Sequence, residues 1–519
     1  MRRRASPVNR HAERSACAPR RFLPQWLRLG RGGYLISITT IAVILASEGL
    51  PTAQAQSALT APPALQGWSA SHATAASPEV KETATESSSR PASLDLVQAY
   101  ERMLLNDPQV HAARAARDAG RDASNIARAA LLPQASINYL RNRTRQTEYY
   151  DTPSAGRQSA DDRYYGRRAG LTIEQTLFDY SAISTYRMGK TQAEYAEVQY
   201  RLQFQQEAVA LIDAYLNAVL ARDSLALARH QLRIYQDMLR DNERMMAEGE
   251  GTRIDILETR TQVGATESEL VTYENDLADR LRELSALLGS PVQAHELMAV
   301  DLEALLPPLA DNDLDTLLAD ARQQNPEVQA ARLAVRYNDL TVEREKGQFM
   351  PRVSLYAAHE RIVSDTVNNR GRDYKTNTIG LQVSIPLFSG GSSYYSTRQA
   401  TNRLAQSRYE LERTANTTTT TLEQYYRVFH TSPGRVRTLR RNVADATALV
   451  QAMRKSVAGG ERTNTDALQA ERQSYQAQQS LLRTYVEWFQ AYAKLQFYAG
   501  RFSEDDVLVL NRHLLAQVR

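Results

Sequence analysis

The chain carries the same series of segments twice, and this duplication limits the folds open to it more than any other feature. The sequence NDPQVHAAR at 106–114 returns as QNPEVQAAR at 324–332. In the same way LPQASI at 132–137 returns as MPRVSL at 350–355. Both segments return after 218 positions (324 − 106 and 350 − 132). This period is far too long for a solenoid repeat, so the sequence predicts two homologous halves.

The duplication also suggests how the chain is divided. We expect a first repeat at 93–300, a second repeat at 301–505 and a C-terminal tail at 506–519. Residues 56–92 are rich in Ala, Ser, Thr and Pro and poor in apolar residues, which predicts a disordered N-terminal arm. Residues 1–55 are predicted to be a signal peptide.

The predicted signal peptide has the three parts of a secretory leader. Residues 1–55 contain nine arginines and two acidic residues, and all nine arginines precede the apolar run at 34–46, so the first part is basic. Ala53-Gln54-Ala55 has the small residues of a signal-peptidase cleavage site. The apolar run is too short to span a bilayer. We therefore expect export from the cytoplasm. The rest of the chain has a net charge of −3 (+4 − 7), which gives no reason to expect a nucleic-acid partner.

Residue types that carry chemistry are scarce outside the leader. The one cysteine, Cys17, lies within it, which excludes disulfides, thiolate chemistry and acylation after the apolar run. The eight histidines are scattered without the paired spacing of metal ligands on a helix. Known catalytic and phosphate-binding motifs are absent. The sequence therefore predicts a protein that is not an enzyme and needs no cofactor or metal.

Period-two alternation of apolar and polar residues marks four extended segments. Two of them form a predicted hairpin in each half, at about 135–178 and about 352–388, and one face of each strand is apolar. The polar stretches within these hairpins, 144–168 and 363–377, are predicted to be loops at the hairpin tips. The four segments expected to be extended are 135–143, 169–178, 352–362 and 378–388.

Sustained heptads after each hairpin predict long paired helices. Apolar residues recur at alternating steps of three and four, so each pair should supercoil as a coiled coil. We expect helical hairpins at about 181–288 and about 392–500, each reversing at glycines. Pro433-Gly434 lies inside the second long helix, where we expect a kink or a short irregular segment.

Four strands cannot close a membrane barrel, because spanning barrels begin at about eight strands. An open sheet edge in lipid would leave backbone groups without hydrogen bonds. If these strands enter a membrane, several copies of the chain must therefore combine. Two copies would supply eight strands and three would supply twelve, with the helical hairpins projecting from one end.

The ordered set of motifs, present twice, resembles the TolC family of outer-membrane efflux proteins. It consists of the repeat starts, such as NPEV at 325–328, the hairpin pairs, and PLFSGG at 386–391, and it covers about residues 93–505. The resemblance implies an α+β membrane protein that forms a homotrimer. Each chain would give four strands to one transmembrane β-barrel, and the coiled-coil hairpins would form a periplasmic tunnel.

The resemblance also implies partners and a location. The protein would lie in the outer membrane of a Gram-negative bacterium, in contact with its lipid, and extend into the periplasm. A periplasmic adaptor (membrane fusion protein) would grip the tips of the helical hairpins. The pump would be an inner-membrane ABC or RND transporter.

In this family a network near the helical turns closes the periplasmic aperture, and rings of aspartate select what passes. Aligned on RTNTD at 462–466, this chain keeps Arg462 and the ring aspartate Asp466, while Gln469 replaces a second aspartate. Asp255 is the matching partner aspartate, which makes Arg462–Asp255 a candidate latch. Two further lock positions are apolar here, Ile254 and Val457. The turn residues expected to contact the adaptor are Gly249, Gly251, Thr252, Gly459 and Gly460.

A structural interpretation of these residues stays open beside the functional one. Asp255 and Asp466 each fall in the first turn of a predicted helix, where a carboxylate complements the helix dipole whether or not it lines an aperture. Arg462 is equally compatible with a solvated turn.

Three functions of different classes compete. A passive exit duct predicts two alternating membrane hairpins, a periplasmic adaptor predicts one helical hairpin flanked by lipoyl-like strands, and a soluble coiled-coil protein predicts no period-two segments. The sequence favours the duct. The overall pattern is similar to ducts of type I secretion, which export proteins such as RTX toxins or proteases, and the alternative is drug efflux for an RND or ABC pump.

Overall fold

The computed structural model describes residues 94–154, 156–298 and 313–514. The predicted signal peptide and arm, and the predicted boundary at 300/301, lie outside these residues. In chain order, the elements are α1 Leu96–Asn106, α2 Pro108–Ala129, β1 Gln134–Thr152, β2 Gly156–Phe178, α3 Tyr180–Glu248, α4 Arg253–Leu288, α5 Leu314–Gln324, α6 Pro326–Gly347, β3 Arg352–Val363, β4 Asp373–Ser384, α7 Ser392–Ala458, α8 Asn464–Ala499 and α9 Glu504–Leu514.

Corresponding short helices begin in the same way in the two halves. The Asp107 carboxylate accepts a hydrogen bond from Gln109 N at 2.8 Å, and the Asn325 amide oxygen accepts one from Glu327 N at 2.9 Å. In both helices, α2 and α6, the next residue is a proline at the first helical position. Proline suits that position because its missing N–H would have no partner there.

The long helices are continuous. Helix α3 has 69 residues, which at about 1.5 Å per residue gives a rod of roughly 100 Å. Helix α7 has 67 residues and runs through Pro433 without interruption, so of the two alternatives expected at Pro433-Gly434, a kink or a short irregular segment, the irregular segment is wrong. Phe429 and Val436 on either side of the proline are both buried in the core. This packing holds the flanking turns in helical conformation although one backbone hydrogen bond is lost.

The four strands form one antiparallel sheet in the order β1-β2-β3-β4. The prediction of a loop at 144–168 is wrong, because β1 and β2 stay paired as far as Thr152 and Gly156. Cross-strand contacts explain why such polar strands pair: Arg145 forms a 3.0 Å ion pair with Asp161, and the Arg157 guanidinium lies 5.0 Å from the Tyr149 ring centre. Strand β4 ends at Ser384, before the predicted 388.

The two faces of the sheet differ in exposure. Neighbouring Tyr164 and Tyr165 on β2 illustrate this, since their exposed fractions are 8% and 61%. Paired residues share a face, and all the regular pairs join odd to odd or even to even numbers. We call the more exposed, odd-numbered face the convex face and the even-numbered face the concave face. Among the described residues, β1 and β4 each have one edge without a partner strand.

The main hydrophobic core lies where the short helices pack against α3, α7 and α8. Phe429, Trp488 and Phe489 form its aromatic centre, with ring centres 6.2–6.3 Å apart in the pairs Phe429–Trp488 and Trp488–Phe489. Helix α9 adds Val507 and Leu510, both buried. The boundary predicted between 505 and 506 therefore falls within a helix of this core.

Among the described residues, no helix combines the length and apolarity needed to cross a membrane.

Candidate functional site: the paired helical turns

The α3–α4 turn is compact because of its glycines. Gly249 ends α3 with φ of 84°, a conformation that glycine adopts at little cost. A Cβ on Gly251 would come within 2.8 Å of Met246 N, so a larger residue there would displace the backbone. Thr252 then begins α4 in a capping box: its hydroxyl accepts from Asp255 N at 3.2 Å, and the Asp255 carboxylate accepts from Thr252 N at 3.1 Å.

The α7–α8 turn has the same construction. Gly459 follows α7, Gly460 has φ of 74°, and Thr463 begins α8. The Asp466 carboxylate accepts from Thr463 N at 3.1 Å, and the Thr463 hydroxyl accepts from Asp466 N at 3.3 Å. The Thr463 backbone N–H and hydroxyl lower the pKa of the half-buried Asp466 carboxyl, which is therefore charged at neutral pH.

The latch expected between Arg462 and Asp255 is not formed within the protomer. In the part of the chain that the structure describes, Arg462 has no ion-pair partner. Its positive charge helps to lower the pKa of the Asp466 carboxyl. Asp255 is occupied by its capping box with Thr252. Ile254 is 65% exposed and Val457 is half-buried, so neither contributes a polar contact.

A hydroxyl that the sequence did not reveal joins the two hairpins beside these turns. The Thr259 hydroxyl on α4 is buried and accepts from Asn464 Nδ2 on α8 at 3.0 Å and from Asn242 Nδ2 on α3 at 2.9 Å. It also donates to the Asp255 carbonyl at 2.9 Å. A hydroxyl has one donor and two acceptor sites, so all three are used.

A second contact between the hairpins involves the neighbouring residue on each helix, one position later on α8 and one position earlier on α4. Thr465 on α8 donates its hydroxyl hydrogen to Glu258 on α4 at 2.6 Å. Gln469 lines a cleft of about 280 Å³ with these two residues. The network therefore joins the second turn of α4 to the first turn of α8. Because its members are more than 200 positions apart, no local pattern could have revealed it.

In each hairpin an ion pair joins the two helices near the tip, and the positions of the acidic and basic residues are exchanged between the hairpins. Glu243 on α3 pairs with Arg260 on α4 at 3.1 Å, while Arg454 on α7 donates to Glu471 on α8 at 2.8 Å. Both second-hairpin positions lie 211 residues after their counterparts (454 − 243 and 471 − 260). The same interval separates Asp255 from Asp466.

No group of three or more His, Cys, Asp or Glu residues that could hold a metal ion occurs within residues 94–154, 156–298 and 313–514. The turns thus offer charged and hydrogen-bonding groups at the end of a long helical rod, without a metal centre or catalytic constellation.

A comparison with known families decides what kind of protein carries this arrangement. Residues 99–290 and 317–501 match the sequence profile of the family described as Outer membrane efflux protein. The chain belongs to this family. The expected outer-membrane location and role as an exit duct are thereby confirmed.

Relatives in the family include proteins named for protease export. The alkaline protease secretion protein AprF of Pseudomonas aeruginosa is 35% identical over 414 residues, 80% of this chain and 86% of the relative. The proteases secretion protein PrtF of Dickeya chrysanthemi is 32% identical over 80% of this chain and 90% of its own length. The TolC protein of Vibrio cholerae is 24% identical over 81% of this chain and 94% of that protein. The expected likeness to secretion ducts of the TolC family is confirmed.

Solved structures share the fold. The Campylobacter jejuni CmeC outer membrane channel matches with a TM-score of 0.68 at 15% identity, covering 85% of this chain and 97% of that one. The outer-membrane channel OprN matches with a TM-score of 0.68 at 18% identity, covering 78% and 90%. The predicted combination of long helices and four strands agrees with these outer-membrane efflux folds.

Proposed function

We propose that this chain is the outer-membrane duct of a type I secretion machine that exports a protease or a similar protein. The main support for this proposal is the 35% identity with an alkaline protease secretion protein over 80% of the chain. A second protease secretion protein at 32% identity supports the same substrate class. The duct itself is passive, and an inner-membrane ABC transporter supplies the energy through a periplasmic adaptor.

The proposal includes a homotrimer with a twelve-stranded barrel. Its support is the sheet, in which β1 and β4 have unpaired edges and the convex face of the strands carries apolar residues at its helix-proximal end. Joining β4 of one copy to β1 of the next removes every edge, as lipid demands. The two matching series, α1–α2–β1–β2–α3–α4 and α5–α6–β3–β4–α7–α8, support an internal two-fold repeat.

The proposed periplasmic aperture lies at the paired helical turns. Three copies of Asp466 around the threefold axis would form a ring that attracts cations, with Gln469 one helical turn further along. Arg462 and Asp255 would form the latch between neighbouring copies. The adaptor would contact the exposed turn residues Gly249, Thr252, Gly459 and Gly460 and the half-buried Gly251.

The remaining alternatives have less support. A drug-efflux duct for an RND or ABC pump rests on structural likeness at 15–18% identity, which establishes a fold and no substrate. A periplasmic adaptor does not account for a four-stranded sheet with exposed apolar residues on one face.

The experiment is complementation in a bacterium that has a protease exporter and adaptor but lacks its own duct. We expect expression of this chain to restore protease activity in the medium without lowering the drug susceptibility of an efflux-deficient strain. Restored drug resistance without secreted protease would show that the chain serves a drug pump. A matched strain that expresses the exporter and adaptor without any duct provides the background level.

A further inference from the structure

The convex face of the β1–β2 hairpin changes from apolar to strongly basic along its length. Near the helices it carries exposed apolar residues, among them Ile137 and Leu171, which pair directly across the two strands. Two residues beyond Tyr139, about 7 Å along the strand, the arginines begin. Five neighbouring arginines on this face form what we call the arginine belt: Arg141, Arg143, Arg145, Arg163 and Arg167. Arg157 lies on the same face nearer the hairpin tip, over the Tyr149 ring.

The belt is concentrated on one face. In the spans 142–146 and 162–166, the even-numbered residues on the concave face include no arginine. Arg168, opposite Leu140 at the edge of the belt, is the nearest arginine on the concave face of this hairpin. The register also places like charges directly opposite each other, Arg141 against Arg167 and Arg145 against Arg163. Opposed like charges weaken a hairpin. Such an arrangement therefore points to a negatively charged partner that offsets the repulsion.

The protein itself neutralises only part of the belt. Arg145 pairs with Asp161 at 3.0 Å, and the Arg143 guanidinium lies 5.7 Å from the Tyr165 ring centre. The other three belt arginines have no ion-pair partner within the described ranges of the protomer. Nearby, the same face continues onto β3 and β4 with Arg361, which pairs with Asp373, and with Lys375.

We propose that the arginine belt binds the phosphate groups of the glycolipid in the outer leaflet of the outer membrane. The inference rests on the proposed function, because a barrel with its convex apolar face in lipid places the belt just beyond that lipid. The belt lies toward the tip of the β1–β2 hairpin, which is the end away from the helices. When the helices occupy the periplasm, the belt is therefore on the side of the cell exterior. Guanidinium groups suit this partner because they bind phosphate oxygens in pairs.

Continuity with the lipid-facing surface favours a lipid over an exported polypeptide. The belt follows Tyr139 on the same face of the same strand, at the depth where aromatic side chains meet headgroups. A polypeptide passing through the duct would instead meet the concave face, where the neighbouring residues are uncharged or mixed.

The test compares wild type with a variant that carries Arg141→Gln, Arg145→Gln, Arg163→Gln and Arg167→Gln. Purified lipopolysaccharide is titrated against each protein in nonionic detergent, and dephosphorylated lipopolysaccharide and polyglutamate serve as further probes. Four exposed helical arginines replaced in the same way, at 229, 240, 244 and 282, give a control matched in number and charge. We expect the belt variant to lose on the order of a hundredfold in affinity, with the control unchanged.

Dephosphorylated lipopolysaccharide should bind wild type about as weakly as the intact glycolipid binds the belt variant. Equal affinity of wild type and belt variant, or tighter binding of polyglutamate than of lipopolysaccharide, would overturn the proposal. If the fourfold variant fails to fold, the double variant Arg141→Gln/Arg167→Gln decides, since it removes two directly opposed charges. Complementation of protease secretion is measured in parallel: a wild type that restores secretion but binds no glycolipid rejects the belt alone, whereas one that restores no secretion counts against the proposed function.

Discussion

Thr259 on α4 and Asn464 on α8 are joined by a 3.0 Å hydrogen bond that connects the two helical hairpins at their tips. The Thr259 side chain has no exposed surface, and Asn464 is 7% exposed. Water can therefore replace this bond only if the hairpins separate. Any opening of the proposed aperture that moves one hairpin relative to the other must break it, so the bond opposes opening.

Replacing Thr259 with valine should weaken this junction. Valine has the shape of threonine without the hydroxyl, so the amides of Asn464 and Asn242 would both lose their shorter hydrogen bond and keep only the Asp255 carbonyl at 3.4 Å. Each lost hydrogen bond contributes about 0.5–1.5 kcal/mol, so the substitution should lower thermal stability and increase conductance. Single-channel recording in planar bilayers and thermal unfolding measure the two effects.

Thr259→Ser is the matched control, because serine keeps the hydroxyl and loses only a methyl group. It should retain a low conductance. An increase in conductance of the same size in both variants would mean that packing of the methyl group, rather than the hydrogen bonds, closes the tip.

Asp466→Asn should reduce the preference of the channel for cations several-fold. Asparagine removes the charge while its side-chain oxygen can still accept from Thr463, so the start of α8 should persist. The measurement is the reversal potential in a salt gradient, with Asp255→Asn as the control for loss of a capping charge. Equal effects of the two substitutions would contradict a special role for Asp466 in the aperture.

The Asp466 carboxylate also determines the pH range over which the channel should prefer cations. The pKa of Asp466 is lowered in the folded protein, so the stabilisation from its capping bonds is complete above the ordinary pKa of about 3.9 and is lost as pH falls through the lowered value. We expect cation preference to persist from neutral pH to at least about pH 4 and then to fall. A loss centred near pH 6 would show that another group controls selectivity.

The sequence was informative about elements with strong periodicity and weak about polar strands. Heptads and glycine turns led to the long helices within a few residues of their ends. The strands beyond residue 143 were missed because their arginines, aspartates and tyrosines pair across the hairpin, as in Arg145 with Asp161, instead of burying an apolar face. Such residues have a loop-like composition when each strand is considered alone.

The site was predictable only where local chemistry defines it. Capping boxes repeat a Thr-x-x-Asp pattern, so Asp255 and Asp466 could be found from sequence. The Thr259–Asn464 bond joins residues 205 positions apart and depends on how the hairpins pack. Pro433 shows the converse, since a strong local signal for a break is overridden by burial of the helix around it.

Pro433→Ala should therefore stabilise α7. Proline inside a helix costs about 3 kcal/mol relative to alanine, and part of this cost should be recovered because alanine restores the missing N–H. Thermal unfolding in detergent should show a higher midpoint than wild type. Gly434→Ala gives a comparison that improves helix propensity without restoring a hydrogen bond, and a lower midpoint for Pro433→Ala would indicate that α7 needs the proline geometry.

The exchanged ion pairs at the hairpin tips should differ in their contribution to stability. In the second hairpin the Glu471 side chain is only 4% exposed while Arg454 is 51% exposed, so Arg454→Ala leaves a buried carboxylate without its cation and should cost about 2 kcal/mol. In the first hairpin both side chains are largely exposed, and Arg260→Ala should cost at most about 1 kcal/mol. Chemical unfolding of the two variants measures the difference.

The double variant Arg454→Leu/Glu471→Leu is the control. It removes the buried charge together with its partner, so it should be more stable than Arg454→Ala. A double variant less stable than Arg454→Ala would mean that the Glu471 carboxylate is held by groups other than Arg454.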